Sequence, residues 1–275
     1  MNNKIYVSMG TMVGRTNGYN TGTMFDASGK LFCDGFEYMF YPLIYDDPEG
    51  HAGYTNRMAK ERAMTFPVIH LDKNLCVYLS CSEPGYREKA LSDFEVNCRF
   101  AKAIGSEKGV LHLWGDRVSD RYFDSCLGMI GELYDIAESY GVLLLVENTP
   151  CVISDPLSNF RRLMDKEERV RFIFDTRLSA FHEQHDAFLG SGLFESGMIR
   201  HVHVSDFTGP AHDFSGLRPI PHLGCGVADL DRLLREIAKI YDGSITLESP
   251  EIHEDRTCPE LINRDVEYIR ERTRF

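Results

Sequence analysis

The chain is 275 residues long, carries a formal net charge of −12, and is 43% hydrophobic and 26% charged. This composition is typical of a globular protein with a large core, and it excludes an intrinsically disordered chain. The acidic excess disfavours a nucleic acid partner, because the phosphate backbone would be repelled.

The sequence also bears on the compartment of the protein. No stretch approaches the ~18 consecutive apolar residues of a membrane-spanning helix, and the first residues lack the pattern of a signal peptide. The eight cysteines are scattered and form no CxxC pair, which favours free thiols over disulfides or a structural zinc site. We therefore expect a cytoplasmic protein that does not bind membranes.

Short apolar runs recur along the whole chain. They are rich in β-branched and aromatic residues and are bounded by polar or turn residues, as buried strands are. The pattern predicts eight strands, at residues 5–10, 35–42, 66–71, 109–115, 142–148, 170–175, 199–206 and 244–249.

Amphipathic stretches lie between several of these strands. Residues 11–34 contain no convincing helix and predict a long loop with at most a short helix. Further along the chain, Asp155 followed by Pro156 is typical of a helix N-terminus, and Gly141 is typical of a helix stop. Helical spacing of apolar residues predicts helices over 87–104, 124–140, 229–241 and about 259–273.

The alternation of strands and helices defines the expected fold class. It predicts an α/β protein, a single (β/α)8 TIM barrel domain spanning residues 1–275, because no linker or low-complexity segment interrupts the pattern. A doubly wound open sheet is the alternative. It is less favoured because the chain has no glycine-rich phosphate loop after an early strand.

Four consecutive predicted strands end in residue types that bind metal ions. In a parallel barrel the carboxyl ends of the strands meet at one mouth, where active sites lie. A single carboxylate there is often a helix cap, but several together favour a shared divalent cation, since an unpaired buried carboxylate is costly. The four residues are Glu147, Asp175, His203 and Glu248.

Strand-end segments of this chain resemble those of the sugar phosphate isomerase/epimerase superfamily, the xylose-isomerase-like barrels. The segments are VENTP, FDT, HVHVSD, HLGCGVADLDRLL and ITLES. The resemblance implies one divalent metal ion (Mn, Mg, Co or Zn), held by Glu147, Asp175, His203 and Glu248. It also implies that Glu147 and Glu248 are the catalytic residues, which transfer a proton through an enediolate of a small sugar, sugar phosphate or related polyol.

Four other residues are candidates for binding this small-molecule carbohydrate substrate. His70 and His112 end the third and fourth strands, at positions where the related type IV apurinic endonucleases place ligands of an additional zinc ion. Trp114 would suit the apolar face of a sugar, or it packs beneath a loop. Arg177 would bind a hydroxyl, carboxylate or phosphate group, or it is a surface residue.

Two positions depart from the pattern of the related sugar 3-epimerases. Ile153 and Leu178 stand where those enzymes usually carry a glutamate and a histidine that touch substrate. An endonuclease is disfavoured, because Leu178 also replaces a zinc ligand and the net charge is −12.

The main hypothesis is therefore a metal-dependent sugar isomerase or epimerase. The alternatives are a keto-inositol dehydratase-type lyase, which would expel a β-hydroxyl group, and a carbohydrate-binding protein without activity. The long loop over residues 207–226 could form a lid or a contact in a homo-oligomer.

Overall fold

The computed structural model describes residues 3–11, 21–81, 83–248 and 258–274. Eight parallel strands follow one another in chain order and form a closed barrel, which confirms the predicted (β/α)8 class. All eight strand predictions are confirmed over the described residues, and residue 249 of the last prediction lies outside them. The strands are β1 (Ile5–Ser8), β2 (Gly35–Met39), β3 (Val68–His70), β4 (Lys108–Leu111), β5 (Leu143–Glu147), β6 (Phe172–Asp175), β7 (Ile199–Val204) and β8 (Ser244–Leu247).

Helices connect the strands. The α-helices are α1 (Thr21–Ser28), α2 (Pro48–Arg62), α3 (Leu75–Leu79), α4 (Pro84–Ile104), α5 (Phe123–Ser139), α6 (Pro156–Lys166), α7 (Thr176–Phe181), α8 (His185–Leu189), α9 (Leu230–Ile240) and α10 (Pro259–Thr273). Among the described helices, none is long and apolar enough to cross a membrane.

The predicted start of α6 and the predicted stop after α5 are confirmed. The side chain of Asp155 accepts a hydrogen bond from the backbone N–H of Ser158, and Pro156 occupies the first turn of α6. After α5, Gly141 adopts a positive φ of 73°, a conformation that glycine reaches without steric cost. The loop predicted over 11–34 contains the short helix α1, and residues 12–20 of that prediction lie outside the described residues.

Helix α2 is absent from the predicted elements. Its buried residues are only Ala52 and Thr55, so its sequence lacks the apolar stripe that marks a helix packed on a core. The hydrophobic pattern therefore does not predict this helix, and only the backbone conformation in the structure identifies it.

The contacts of the chain divide it into two compact units. The first unit comprises residues 1–38, 58–65 and 174–275, and in it β1 pairs with β2 and β8, and β7 pairs with β8. The second unit comprises residues 39–57 and 66–173, and in it β3 pairs with β4, β4 with β5, and β5 with the first residues of β6. The single domain over residues 1–275 stays a prediction.

The cysteines are all free thiols. Four of them, Cys76, Cys98, Cys126 and Cys151, are buried. Burial raises the pKa of Cys76, Cys98 and Cys126 to about 12, so these thiols stay protonated and act as small apolar core residues.

Candidate active site

Three of the predicted metal ligands lie together in the first unit. Asp175 is the last residue of β6, His203 lies near the end of β7, and Glu248 directly follows β8. Nδ1 of His203 lies 3.5 Å from Oε1 of Glu248, and a carboxylate oxygen of Asp175 lies within 4.8 Å of a ring nitrogen of His203. Asp175 and His203 are fully buried, whereas the Glu248 side chain is 11% exposed.

Asp175 also has a structural role. Its Oδ1 accepts a hydrogen bond of 2.6 Å from the backbone N–H of Leu178, and this caps helix α7. The capping alternative is therefore correct for one oxygen of this carboxylate. Because a carboxylate offers two oxygens, capping by one is compatible with ligation by the other.

Arg177 lies beside Glu248 in the same unit. Its Nη2 is 3.6 Å from Oε2 of Glu248, and its side chain is 12% exposed. Its Nε donates to Oγ of Ser205 at 3.2 Å, and its Nη1 donates to the carbonyl oxygen of Leu217 at 3.3 Å. The surface alternative for Arg177 is therefore wrong, and the guanidinium is held next to a proposed catalytic carboxylate.

Glu37 on β2 is a fully buried carboxylate that bonds to His203, and the strand-end pattern does not predict it. Nε2 of His203 lies 2.8 Å from Oε2 of Glu37, and Nε2 of His201 lies 3.3 Å from the same oxygen. Burial alone would raise the pKa of Glu37, but the neighbouring His203 and His201 hold it well below its ordinary value. The sequence signal is a single acidic residue inside the apolar run GFEYM.

His201 lies inside the packing of the first unit. Its Nδ1 is 2.7 Å from Oγ of Ser244, and its Nε2 is 2.8 Å from Oγ1 of Thr246. The ring also stacks on Tyr6, with 6.3 Å between ring centroids. Both ring nitrogens thus contact hydroxyl groups of β8, which fits a core histidine.

The second unit contains a separate cluster around Glu147, the last residue of β5. Nε2 of His70 lies 3.5 Å from Oε2 of Glu147, and Nε2 of His112 forms an ion-pair contact with the same oxygen. Ligand atoms of these three residues all lie within 4.8 Å of one another. Burial lowers the pKa of His112 to about 4 although the Glu147 carboxylate favours the charged form, so the ring is neutral near pH 7.

His70 and His203 share one unusual feature. Nδ1 of His70 lies 2.8 Å from the carbonyl oxygen of Leu71, which can only accept, so Nδ1 carries the proton. When the ring is neutral, its Nε2 lone pair then faces Oε2 of Glu147. By the same reasoning, Nε2 of His203 donates to Glu37, and its Nδ1 lone pair faces Oε1 of Glu248. Two electron-rich atoms 3.5 Å apart fit a cation or a hydroxyl donor between them.

Comparison with known proteins places the chain in a family. The family model described as xylose isomerase-like TIM barrel matches residues 25–272. The chain belongs to this family. This confirms the predicted membership of the xylose-isomerase-like barrels. A search of curated proteins gave no significant match to the chain.

Solved structures with the same fold include several sugar epimerases. A D-allulose 3-epimerase from Methylomonas sp. is 15% identical with a TM-score of 0.76, covering 98% of both chains. A D-psicose 3-epimerase from Clostridium cellulolyticum H10 is 12% identical with a TM-score of 0.75, covering 99% of this chain and 100% of its own. A 3-keto-D-glucoside 4-epimerase from E. coli is 17% identical with a TM-score of 0.67, covering 98% of this chain and 99% of its own. At these identities the similarity shows the fold.

The predicted contact between Trp114 and substrate is not favoured in this xylose isomerase-like barrel. The ring is fully buried, packs edge-on against Phe123 and Phe160, and donates its Nε1–H to the carbonyl oxygen of Thr149 at 3.0 Å. Phe160 belongs to α6 and Thr149 to the segment after β5, so Trp114 ties these segments together. The packing alternative fits the structure better than an aromatic wall for a sugar.

The two positions that depart from the 3-epimerase pattern differ in their surroundings. Ile153 is 71% exposed, whereas Leu178 is buried. An exposed isoleucine offers no hydrogen bond to a substrate hydroxyl, and a buried leucine belongs to the core. Neither side chain can supply the polar contact that the resemblance to the 3-epimerases leads us to expect at its position.

Proposed function

We propose that the protein is a divalent-metal-dependent isomerase or epimerase of a small sugar, sugar phosphate or related polyol. The observation that carries the proposal is the grouping of Asp175, His203 and Glu248 in the first unit, where Nδ1 of His203 lies 3.5 Å from Oε1 of Glu248. Family membership supports it, and similar structures are named as sugar epimerases.

We assign four ligands to one ion. Asp175, His203 and Glu248 lie together in the first unit. Glu147 is added from the sequence pattern, because it is the last residue of the preceding strand β5. Carboxylate oxygens with one imidazole suit Mn, Mg, Co or Zn. A bound ion of this kind acts as a Lewis acid on adjacent substrate oxygens.

Glu147 and Glu248 are proposed as the residues that move the proton. One carboxylate removes the proton beside the substrate carbonyl, which gives an enediolate, and the other returns a proton. Return to the opposite face of the same carbon is epimerisation, and return to the neighbouring carbon is isomerisation. The 11% exposure of the Glu248 side chain leaves it within reach of a ligand.

Substrate recognition is assigned to His70, His112 and Arg177. The neutral His112 ring can exchange hydrogen bonds with hydroxyl groups without adding charge. Arg177 presents a partly exposed guanidinium beside Glu248, which suits a carboxylate, phosphate or vicinal hydroxyl pair. Because Ile153 and Leu178 supply no polar contact, we expect a substrate other than the free ketoses of the standard 3-epimerases.

Metal content tests the ligand assignment. We expect the purified wild-type protein to hold one divalent ion per chain and Asp175→Asn to lose it, since the amide keeps the cap on Leu178 but removes the charge. Asp186→Asn, at an exposed aspartate of the same unit that pairs with Arg232, is the matched control. Elemental analysis of the three proteins decides the matter, and equal metal in wild type and Asp175→Asn would overturn the assigned site.

Solvent deuterium exchange tests the reaction. We expect the metal-loaded enzyme to incorporate deuterium next to the carbonyl carbon of at least one ketose, ketose phosphate or keto-polyol. Mass spectrometry of the same samples detects loss of water, which would assign the lyase reaction instead. Sugar binding without exchange across the panel would contradict the proton-transfer proposal and favour a carbohydrate-binding protein.

A further inference from the structure

The mechanism proposed above gives no role to Glu37, although this residue is a fully buried carboxylate. It lies in the middle of β2, where it pairs in register with Ser8 of β1. Burying a charge costs several kcal/mol unless partners compensate for it. Oε1 of Glu37 has no hydrogen-bond partner among the described residues, so only half of the carboxylate is satisfied. A half-satisfied buried acid weakens a fold, which points to a role other than stability.

The partner of the other oxygen is His203. Oε2 of Glu37 lies 2.8 Å from Nε2 of His203, the length of a charge-assisted hydrogen bond. An ion shared by this oxygen and this nitrogen would hold each at about 2.1 Å and so keep them about 3 Å or more apart. The contact is therefore a hydrogen bond in which the imidazole N–H donates to the carboxylate.

The direction of this bond fixes the state of the ring. Because a carboxylate only accepts, the proton of His203 resides on Nε2, and Nδ1 is the nitrogen that can bind a cation. That nitrogen lies 3.5 Å from Oε1 of Glu248. The ring is thus held between a buried acid on one edge and a proposed ligand on the other.

His201 holds the buried acid in place. Its Nε2 lies 3.3 Å from Oε2 of Glu37, and its own position is set by Ser244 and Thr246 of β8. The carboxylate oxygen therefore contacts two imidazole nitrogens at once. Rotation of the Glu37 side chain would break both contacts, so the acceptor for His203 is fixed before any ligand arrives.

We propose that Glu37 is the positioning residue of His203. By accepting the Nε2 proton it selects the tautomer whose Nδ1 points to Glu248, and it makes that nitrogen a stronger ligand. Partners of this kind commonly change metal affinity by about 10–100-fold. The proposal rests on the proposed function for the presence of the cation, whereas the choice of tautomer is independent of it.

Two substitutions of Glu37 test the proposal against a matched control. Glu37→Leu keeps the volume and removes the acceptor, and Glu37→Gln keeps an acceptor oxygen and removes the charge. Ser28→Ala removes a buried hydrogen bond of the same unit, from Oγ of Ser28 to the carbonyl oxygen of Phe25, and removes no contact of Glu37, His201 or His203. Thermal unfolding of the full chain identifies the variants that fold.

The first measurement is Mn²⁺ affinity. We expect the dissociation constant to rise by about 10–100-fold in Glu37→Leu, by a smaller factor in Glu37→Gln, and to stay unchanged in Ser28→Ala. If Glu37→Leu does not fold, Glu37→Gln still has to weaken binding several-fold. Wild-type affinity in a folded Glu37 variant would overturn the proposal, as would an equal loss in Ser28→Ala.

The second measurement is the position of the proton, read by ¹⁵N NMR of histidine-labelled protein with Zn²⁺ and with chelator. We expect Nε2 of His203 to carry the proton in the wild type, and Glu37→Leu to give a mixture of tautomers. A wild-type proton on Nδ1, or an unchanged tautomer in a folded Glu37→Leu, would overturn the proposal. If the wild type binds no divalent ion while the tautomer still depends on Glu37, the proposed function fails and the positioning role stands.

Discussion

The two histidines that face carboxylates are held in different ways. In the first unit, Nε2 of His203 bonds to the carboxylate of Glu37 at 2.8 Å. In the second unit, Nδ1 of His70 bonds to the carbonyl oxygen of Leu71, also at 2.8 Å. A charged acceptor gives a stronger hydrogen bond than a neutral one and raises the basicity of the ring. We therefore expect His203 to be the stronger metal ligand of the two.

The neighbours of Glu248 and Glu147, the carboxylates near these two histidines, also differ in charge. Glu248 lies near Arg177 and His203, whereas Glu147 lies near two histidines. Burial keeps one of these, His112, neutral near pH 7 by lowering its pKa to about 4, and its side chain is 16% exposed. The neighbours of Glu248 thus include a permanently charged guanidinium, whereas those of Glu147 are imidazole rings.

The largest expected effect comes from removing a proposed proton carrier. We expect Glu147→Gln to slow deuterium exchange by about 10²–10⁴-fold, the usual contribution of a positioned acid or base, while the variant remains folded. Glu132→Gln, at an exposed glutamate of the same unit, is the control. The exchange rate is followed by NMR at saturating metal. A rate near that of the wild type would restrict Glu147 to ligation.

Removing His112 tests whether the cluster around Glu147 and the cluster around His203 have different roles. We expect His112→Ala to raise KM by about 10–100-fold, because a hydrogen bond to a charged or bound polar group contributes roughly 1.5–3 kcal/mol. We also expect it to keep one ion per chain, whereas His203→Ala loses the ion. Steady-state kinetics and elemental analysis of both variants test this. If the wild type holds two ions and His112→Ala holds one, then His70, His112 and Glu147 bind a second cation.

These contrasts also show which features a sequence can reveal. The strands were predictable because each is a short apolar run bounded by turn residues, and the residue at the end of a strand is fixed once the strand is fixed. Asp175, His203 and Glu248 therefore lie where the pattern places them. Family membership was predictable from the same strand-end segments.

Other features depend on packing that a linear pattern does not encode. Trp114 resembles a strand-end aromatic residue, and only its contacts with Phe123 and Phe160 reveal that its ring is covered. Glu37 is one acid in an apolar run, and its role is visible only because the barrel brings β2 and β7 of the first unit together. Helix α2 escapes prediction because it buries only Ala52 and Thr55.

Another buried carboxylate, Asp120, is held by backbone amides instead of by histidines, and we expect its removal to have the smallest effect. Its oxygens accept hydrogen bonds from the backbone N–H groups of Val152, Ile153 and Ser154, in the segment that follows β5. Burial alone would raise the pKa of Asp120, but these three donors hold it below the ordinary value of 3.8. The ionised carboxylate therefore stabilises the fold at neutral pH.

The sign of the pH dependence follows from this lowered pKa. The stabilisation is complete above the ordinary pKa and is lost as the pH falls through the lower value of the folded state. We expect Asp120→Asn to reduce the free energy of unfolding by about 1–3 kcal/mol near pH 7, and the gap to the wild type to narrow near pH 3. Urea unfolding at both pH values measures the gap, with Asp124→Asn at an exposed aspartate as the control. A gap of equal size at low pH would mean that the neutral carboxyl group holds the loop equally well, and that the segment after β5 is fixed by packing, without a contribution from charge.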